Sequence, residues 1–251
     1  MLPSRAATPP RPGRRARAGH VPCAPSALWC HARRANPSRG YRRVCGELLV
    51  LGVKVAASAS SLRTRSSWSV TKNLTDWLEA ALPSMTRWRA AARRSVDWAA
   101  LEADLGTALP SDYRSLAEAY PLLLIDDFLA VSIPRPGAEA LWASASREDE
   151  ILQDLYEMGD TEDYVPFPQP GGLIRWAESN SGDCFYRRTS PADPDAWPVV
   201  VRTDNGEWIE FPVGAVEFLA GVYGQTLHAP GMPGNFPSDF PQVLGLSDRT
   251  D

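Results

Sequence analysis

Histidine is scarce in this chain and absent from its middle. The 251 residues contain three histidines, His20, His31 and His228. Histidine is the most frequent general acid–base group in enzymes and carries the proton in serine and cysteine triads. Its absence over residues 32–227 excludes histidine-dependent catalysis there and favours a protein that is not an enzyme.

Cysteine is almost confined to the first 45 residues. Cys23, Cys30 and Cys45 lie there, and Cys184 stands alone in the rest of the chain. The later part therefore cannot form an internal disulfide, which is typical of a reducing compartment, and we expect a cytoplasmic protein. Cys184 lies in an alternating strand pattern with no histidine partner, so we predict a small buried apolar residue.

Long hydrophobic runs are also missing. No stretch reaches the roughly 18 apolar residues that a membrane-spanning helix requires. Residues 48–57 are the best candidate, but Lys54 interrupts them. The small residues that follow give a loose likeness to a signal-peptide core, yet the basic region before it is far too long for that role. The sequence predicts no membrane partner.

Charge divides the chain into two unlike parts. Residues 1–72 contain 14 lysines and arginines and one acidic residue, Glu47, whereas the remainder contains 12 basic and 29 acidic residues, a net charge of −17. A basic head of this kind neutralises phosphates without sequence preference, but the acidic remainder repels nucleic acid. We therefore expect no specific nucleic-acid binding.

Three segments follow from this division. Residues 1–72 are rich in Arg, Pro, Ala and Ser without helical or strand periodicity, so we expect a disordered N-terminal extension. The alternative is a misassigned upstream start, with Val70 as the true one. Residues 73–225 are the folded body, and residues 226–251 form a Pro/Gly-rich tail that we expect to be loose.

Helical periodicity and turn signals divide the body into a helical first half and a strand-rich second half. Helices are predicted at 76–82, from the Ser95 or Asp97 cap to Gly106, from Pro110 and Ser111 to Pro121, at 138–158 and at 214–224. Strands are predicted at 128–133, 173–178, 183–188, 197–202 and 208–211, with Asn205-Gly206 marking a hairpin. This order predicts an α+β fold, with an antiparallel or mixed sheet and helices packed on one face.

The 138–158 helix has a predicted inward face and a predicted solvated face. Leu141, Ala145, Leu152 and Leu155 recur at helical spacing and are predicted to point inward. Five acidic residues are predicted to face solvent: Glu148, Asp149, Glu150, Asp154 and Glu157.

Five motifs in this order resemble the SUKH superfamily, also called the Smi–Knr family. They are WAALEADLGTALPSDYRSLAEAY (98–120), IDDFLAVSIP (125–134), FPQPGGLIRWAESNSGDCFYRRT (167–189), DAWPVVVR (195–202) and VEFLAGVYG (216–224). From the first motif to the last, the resemblance spans roughly 130 residues. The chain departs from the family pattern at Pro121, Arg175, Ala177 and Arg187, which affects the second helix's end and the central hairpin.

The resemblance implies a protein-binding module without catalytic residues or a cofactor. Bacterial members of the family are chiefly immunity proteins that bind and block a cognate toxin, often a nuclease. The implied partner is therefore a protein with a basic toxin domain. Two alternatives stay open: a regulatory scaffold of the same fold without a toxin partner, and a hydrolase that uses clustered carboxylates.

Metal binding has little support in the sequence. Zinc-binding residue types occur in the head at irregular spacing: His20, Cys23, Cys30 and His31. The Asp204-x-Gly206 segment is too short for a calcium loop. We predict no metal and no cofactor.

The candidate partner-binding residues lie on the predicted turns and the central hairpin. They are Asp126, Asp127, Trp176, Glu178, Asn180, Asp183, Asp204 and Asn205. Trp176 is the predicted aromatic anchor, because Trp and Arg are enriched among binding hot spots. The alternative for Asn180 and Asn205 is turn chemistry, in which they only accept left-handed backbone geometry. Trp98 and Trp197 are predicted to pack in the core.

Overall fold

The computed structural model describes residues 74–246. The predictions of a disordered head, an alternative start and zinc ligands concern residues outside this range. Six α-helices are present in the described part: α1 Leu74–Ala81, α2 Trp98–Leu105, α3 Ser111–Ala119, α4 Glu139–Arg147, α5 Glu150–Met158 and α6 Ala215–Tyr223. Two 3-10 helices, Pro83–Trp88 and Pro194–Ala196, complete the helical elements.

The strands form one antiparallel sheet, so the predicted α+β class is confirmed. They are β1 Leu122–Ile125, β2 Leu129–Val131, β3 Leu173–Ser179, β4 Cys184–Arg188, β5 Val199–Arg202, β6 Trp208–Phe211 and β7 Val243–Leu246. Their order in the sheet is β6-β5-β4-β3-β2-β1-β7. The first six are therefore a meander in chain order, and the last strand returns to the far edge.

Capping residues set the ends of the second helix as predicted. The Asp97 carboxylate accepts a hydrogen bond from the backbone N of Ala100 at 3.0 Å, which satisfies a free amide at the start of α2. Gly106 ends the helix in the left-handed conformation that glycine adopts without steric cost. Of the two predicted caps, Ser95 and Asp97, it is Asp97 that caps this helix.

The main core lies between one face of the sheet and five helices. Trp176, Phe185 and Val201 from the strands share it with residues of α1, α2, α3, α4 and α6. The predicted core tryptophans Trp98 and Trp197 both belong to it.

The opposite face of the sheet carries a smaller cluster under α5. Leu152 of that helix packs with Leu173, Cys184, Tyr186 and Val200. Because neighbouring side chains on a strand point to opposite faces, α5 covers the face away from the main core. Five helices thus pack on one face of the sheet and α5 packs on the other, so the predicted packing of helices on a single face is wrong for α5. Cys184 is buried, as predicted.

The predicted 138–158 helix is wrong in its continuity and in part of its inward face. It breaks into α4 and α5, with Asp149 as the N-cap of α5. Leu141 is 69% exposed and Ala145 is also exposed, whereas Leu152 and Leu155 are buried. Trp142 of α4 packs in the main core, whereas Leu152 of α5 packs on the opposite face of the sheet, so one helical stripe cannot describe both.

Asp149, predicted on the solvated face, is instead buried. Its Oδ1 accepts from the backbone N of Leu152 at 3.2 Å, and its Oδ2 lies 3.1 Å from Nε of Arg175 on β3. The helix cap and the pairing with the partly buried guanidinium of Arg175 compensate this carboxylate for its loss of water. This ion pair fastens the start of α5 to the sheet.

The tail contributes a strand that the sequence analysis did not predict. Within the segment expected to be loose, β7 pairs with β1 in register from Leu122↔Leu246 to Ile125↔Val243. Gly245 allows the indole of Trp88 to approach closely, since a Cβ there would lie 2.8 Å from its Cδ2. Trp88 and Arg87 also donate to the Val243 carbonyl.

Among residues 74–246, every helix is too short or too polar to cross a lipid bilayer.

Candidate site at the turn edge of the sheet

Three hairpin turns meet at one end of the sheet. In an antiparallel meander β1, β3 and β5 run in the same direction, so the turns that follow them lie at the same end. These turns comprise residues 126–128, 180–183 and 203–207, and we call this end the turn edge. Six of the eight candidate residues lie on it: Asp126, Asp127, Asn180, Asp183, Asp204 and Asn205.

Hydrogen bonds tie neighbouring turns together. The backbone N of Asn180 donates to the Phe128 carbonyl, and its Nδ2 donates to the Asp127 carbonyl, both at 2.8 Å. The backbone N of Asp204 donates to Oδ1 of Asp183, also at 2.8 Å. The turn edge is therefore one connected surface.

The C-terminal segment 225–242, which we call the strap, crosses this edge on its way to β7. The Asp126 carboxylate accepts from the Ser238 backbone N at 3.2 Å, the Ser238 Oγ at 2.9 Å and the Gln242 backbone N at 3.0 Å. Farther along the edge, Gly231 packs so closely that a Cβ there would lie 2.5 Å from Cγ2 of Thr203. The strap is thus held at the first and third turns.

A cleft of about 540 Å³ opens between the strap and the first two turns. Phe128 and Phe236 form part of its wall, with ring centroids 4.7 Å apart. Phe240 also lines the cleft but is 84% exposed. The polar lining comes mainly from Asn180, Ser181, Asn235, Ser238 and Gln242. Asp126 lines it as well, so the cleft combines aromatic surface, neutral hydrogen-bonding groups and one carboxylate.

Negative charge surrounds this cleft. The turn edge and the strap contain no lysine or arginine, and they contain six acidic residues: Asp126, Asp127, Asp183, Asp204, Glu207 and Asp239. The carboxylates of Asp126 and Asp183 are used in hydrogen bonds within the fold. The other four make no ion pair with any described residue, so their charge is open to solvent or to a partner.

Asp183 has an unusual environment for a carboxylate. It is 2% exposed, and it accepts hydrogen bonds from Oγ of Ser179 and from the backbone N of Asp204. Burial raises the pKa of Asp183 above its ordinary value, because loss of water opposes the charged form more than these two donors favour it. Asp183 therefore organises the second and third turns and does not face a partner.

The prediction that Trp176, Glu178 and Asp183 contact a partner is corrected by their burial. Trp176 is 1% exposed and packs edge-on against Phe185 and Phe218, with ring centroids 6.0 and 6.3 Å apart. Glu178 is 6% exposed and lies 3.5 Å from Nη1 of Arg175. None of these three side chains is presented on the surface.

A β-bulge explains the position of Glu178. The register of β3 against β4 shifts between Arg175 and Ala177, so that Trp176 and Ala177 both belong to the main core. The extra residue reverses the alternation that follows. Glu178 consequently shares the opposite face with Arg175.

Aspartate and glycine, and not the asparagines named above, adopt the left-handed conformation in the first and third turns. Asp126 and Asp127 adopt positive φ angles of 57° and 52°, and Gly206 adopts 81° in the third turn. Asn180 and Asn205 are not among the described residues with positive φ. The two aspartates serve this purpose because their short polar side chains tolerate the left-handed region.

The strap residues of the cleft were missed. Asn235, Phe240 and Gln242 lie in a segment without periodicity, where the sequence does not indicate contact with turns much earlier in the chain. The only usable signal was the absence of basic residues from both the turns and the strap.

Other features of the described part offer less for function. No group of three His, Cys, Asp or Glu side chains within residues 74–246 is arranged to hold a metal ion. A second cleft, of about 340 Å³, lies beside the start of α5, where Asp149 is already paired with Arg175.

Comparison with known proteins gives no match, whether to a protein-family model, to a curated protein or to a solved structure.

Proposed function

We propose that this chain is a non-enzymatic protein-binding module that acts as an immunity protein, binding and neutralising a cognate toxin with a basic surface. The resemblance of its motifs to the SUKH superfamily supports the biological role. The observation that carries the proposal is the turn edge with its strap, which has six acidic residues and no lysine or arginine. We place this activity in the cytoplasm.

Electrostatics favours such a partner over nucleic acid. The described residues include 27 acidic and 11 basic side chains. Toxins that cleave nucleic acid bind phosphate and therefore have basic clefts, which attract an acidic inhibitor. Long-range attraction increases the association rate, and desolvated contacts then determine specificity.

The absence of catalysis is part of the same proposal. It is supported by the lack of histidine over residues 73–225 and by the structural use of three carboxylates, those of the partly buried Asp126 and of the buried Asp149 and Asp183. A carboxylate-dependent hydrolase would need a pair of acids free to exchange protons with a substrate.

Co-expression tests the proposed function directly. Toxin domains encoded beside the gene for this chain are expressed in a bacterial host with and without it. We expect growth to be restored by this chain, and the purified chain to inhibit its toxin at equimolar ratio. A stable complex with a neighbouring protein that is not toxic would instead favour the regulatory scaffold. Toxicity that persists in the presence of the folded chain would contradict the proposal.

Two matched double variants test whether the acidic residues of the turn edge are the ones that speed association with the toxin. Asp127→Asn with Asp204→Asn removes two carboxylates from the turn edge, and Asp154→Asn with Glu157→Gln removes two from the exposed face of α5. We expect the first pair to slow association with the toxin several-fold and to weaken its salt dependence, because charges near the contact steer the encounter. Equal effects from both pairs would show that the turn edge is not the binding surface.

A further inference from the structure

The cleft at the turn edge has the composition of a site for one particular side chain. Resting on the proposed function, we propose that it receives an arginine-bearing segment of the partner, with Phe240 as the aromatic platform for the guanidinium group. A cationic segment complements the charge of this region, because the turns and the strap carry six acidic residues and no lysine or arginine.

The size and lining of the cleft fit a short peptide segment. At about 540 Å³ it exceeds the volume of a single side chain and lies in the ordinary range of ligand-binding clefts. Phe128 and Phe236 supply apolar wall for the aliphatic part of a long side chain. Arginine buries such a methylene stem readily while its charged end stays hydrogen-bonded.

Phe240 is positioned as a contact residue. The ring is almost fully open to solvent at the edge of the cleft. The Phe240 carbonyl accepts a hydrogen bond from Nε2 of Gln242 at 3.3 Å, while Gln242 is held by the Asp126 carboxylate. The ring is therefore carried by backbone that is fastened to the first turn. The face of a phenyl ring attracts a guanidinium group electrostatically.

The polar lining favours arginine over lysine. Gln242 donates through its side-chain nitrogen, which leaves its carbonyl oxygen as an acceptor, and Asn235 contributes a second amide. The planar guanidinium presents five N–H donors in fixed directions and can stack on a ring while donating to several acceptors. A lysine ammonium is compact and more strongly hydrated, so it gains less from the same lining.

The experiment uses three peptides as probes of the full chain. They are acetylated and amidated versions of Gly-Arg-Gly-Arg-Gly, of the lysine analogue and of the glutamine analogue. Nuclear magnetic resonance titration of the isotope-labelled protein reports which backbone amides shift. We expect the arginine peptide to shift residues of the first two turns and the strap, the lysine peptide to bind several-fold more weakly, and the glutamine peptide not to bind.

Matched variants separate the contribution of the Phe240 ring from general attraction between opposite charges. Phe240→Ala should weaken arginine-peptide binding at least five-fold, whereas Phe240→Trp should retain it, because tryptophan is the stronger cation–π partner. Leu141→Ala removes another highly exposed apolar side chain, on α4 and outside the cleft, and should leave binding unchanged. Phe240 and Leu141 are both exposed, so each of the three variants should fold.

The outcomes distinguish this inference from the proposed function. Shifts spread evenly over the acidic α5 surface, or binding unaffected by Phe240→Ala, would overturn the inference. If toxin protection holds but Phe240→Ala inhibits the toxin with unchanged affinity, the proposed function stands and the arginine site is wrong. If the peptide binds at the cleft while no toxin is neutralised, the site stands and the proposed function fails.

Discussion

At the scale of single residues, Asp183 shows how the fold uses an acidic side chain for structure. It lies in the second turn, yet it holds the third turn through the backbone N of Asp204. Burial raises the pKa of Asp183. Its carboxyl group therefore stays protonated to a higher pH in the folded protein than in the unfolded chain. The stabilisation from this group is therefore fully present below the pKa of the unfolded chain and is lost as pH rises through the higher folded pKa.

We predict that Asp183→Asn removes this pH dependence. Urea unfolding of the wild-type protein and the variant is measured between about pH 3 and pH 7, a range that includes the ordinary aspartate pKa of about 3.9. The wild-type free energy of unfolding should fall relative to that of Asp183→Asn as pH rises through this range. Asp154→Asn, which removes an exposed carboxylate of α5, controls for the loss of one charge. Parallel curves for wild type and Asp183→Asn would contradict the prediction.

At the scale of elements, the strap and β7 depend on one carboxylate. Asp126 accepts three hydrogen bonds from Ser238 and Gln242, and its own backbone N donates to the Gln242 carbonyl at 2.7 Å. The pairing of β7 with β1 begins at the next residues, Ile125 and Val243. The first turn and the edge strand should therefore loosen together.

We predict that Asp126→Ala destabilises the protein by about 2 kcal/mol, since hydrogen bonds to a charged group contribute about 1.5–3 kcal/mol each and part of that is recovered from water. Amide hydrogen exchange should accelerate in the strap and β7 while β4 and β5 stay protected. Asp126→Asn is the milder comparison, because asparagine keeps one acceptor oxygen and tolerates the positive φ angle. Unchanged exchange in β7 would show that its pairing does not need this carboxylate.

At the scale of the whole molecule, Trp176 joins the sheet to the closing helix. Its indole contacts Phe185 of β4 and Phe218 of α6, and Phe218 in turn contacts Phe211 of β6 at 5.0 Å between ring centroids. All four rings of this aromatic cluster belong to the main core. Truncating the tryptophan leaves a cavity that its neighbours on several elements cannot all fill.

We predict that Trp176→Ala lowers the free energy of unfolding by about 3–5 kcal/mol, the usual cost of replacing a buried Trp by Ala. Chemical denaturation measures the change, and Leu141→Ala, at an exposed apolar side chain, should shift it by less than about 0.5 kcal/mol. With an identified partner, the fraction of Trp176→Ala that stays folded should dissociate at the wild-type rate. A stable variant with faster dissociation would restore Trp176 as a binding residue.

Local signals located most of the elements correctly. Asp97 and Gly106 mark the ends of α2, and the Asn205-Gly206 pair marks the hairpin between β5 and β6. These features depend on residues within one turn of each other, which is why the sequence suffices for them. The break between α4 and α5 was missed because the residues around Asp149 are compatible with a continuous helix until its carboxylate caps a new one.

The site was only partly predictable for a related reason. The turns carrying Asn180 and Asp204 were located from the sequence, but their meeting at one end with the turn at Asp126 depends on the order of strands in the sheet. The bulge at Arg175 determines where Glu178 points, and no local composition signals it. The contribution of Phe240 depends on the strap returning across the first turn.

The sequence by itself determined the charge, the α+β class and the lack of histidine in residues 73–225, because these depend on composition and on contacts a few residues apart. Only the tertiary structure decided which acids are buried, which face α5 covers and how the tail becomes the seventh strand. Those outcomes depend on pairing between distant segments. The energy of such contacts appears only when both partners are in place.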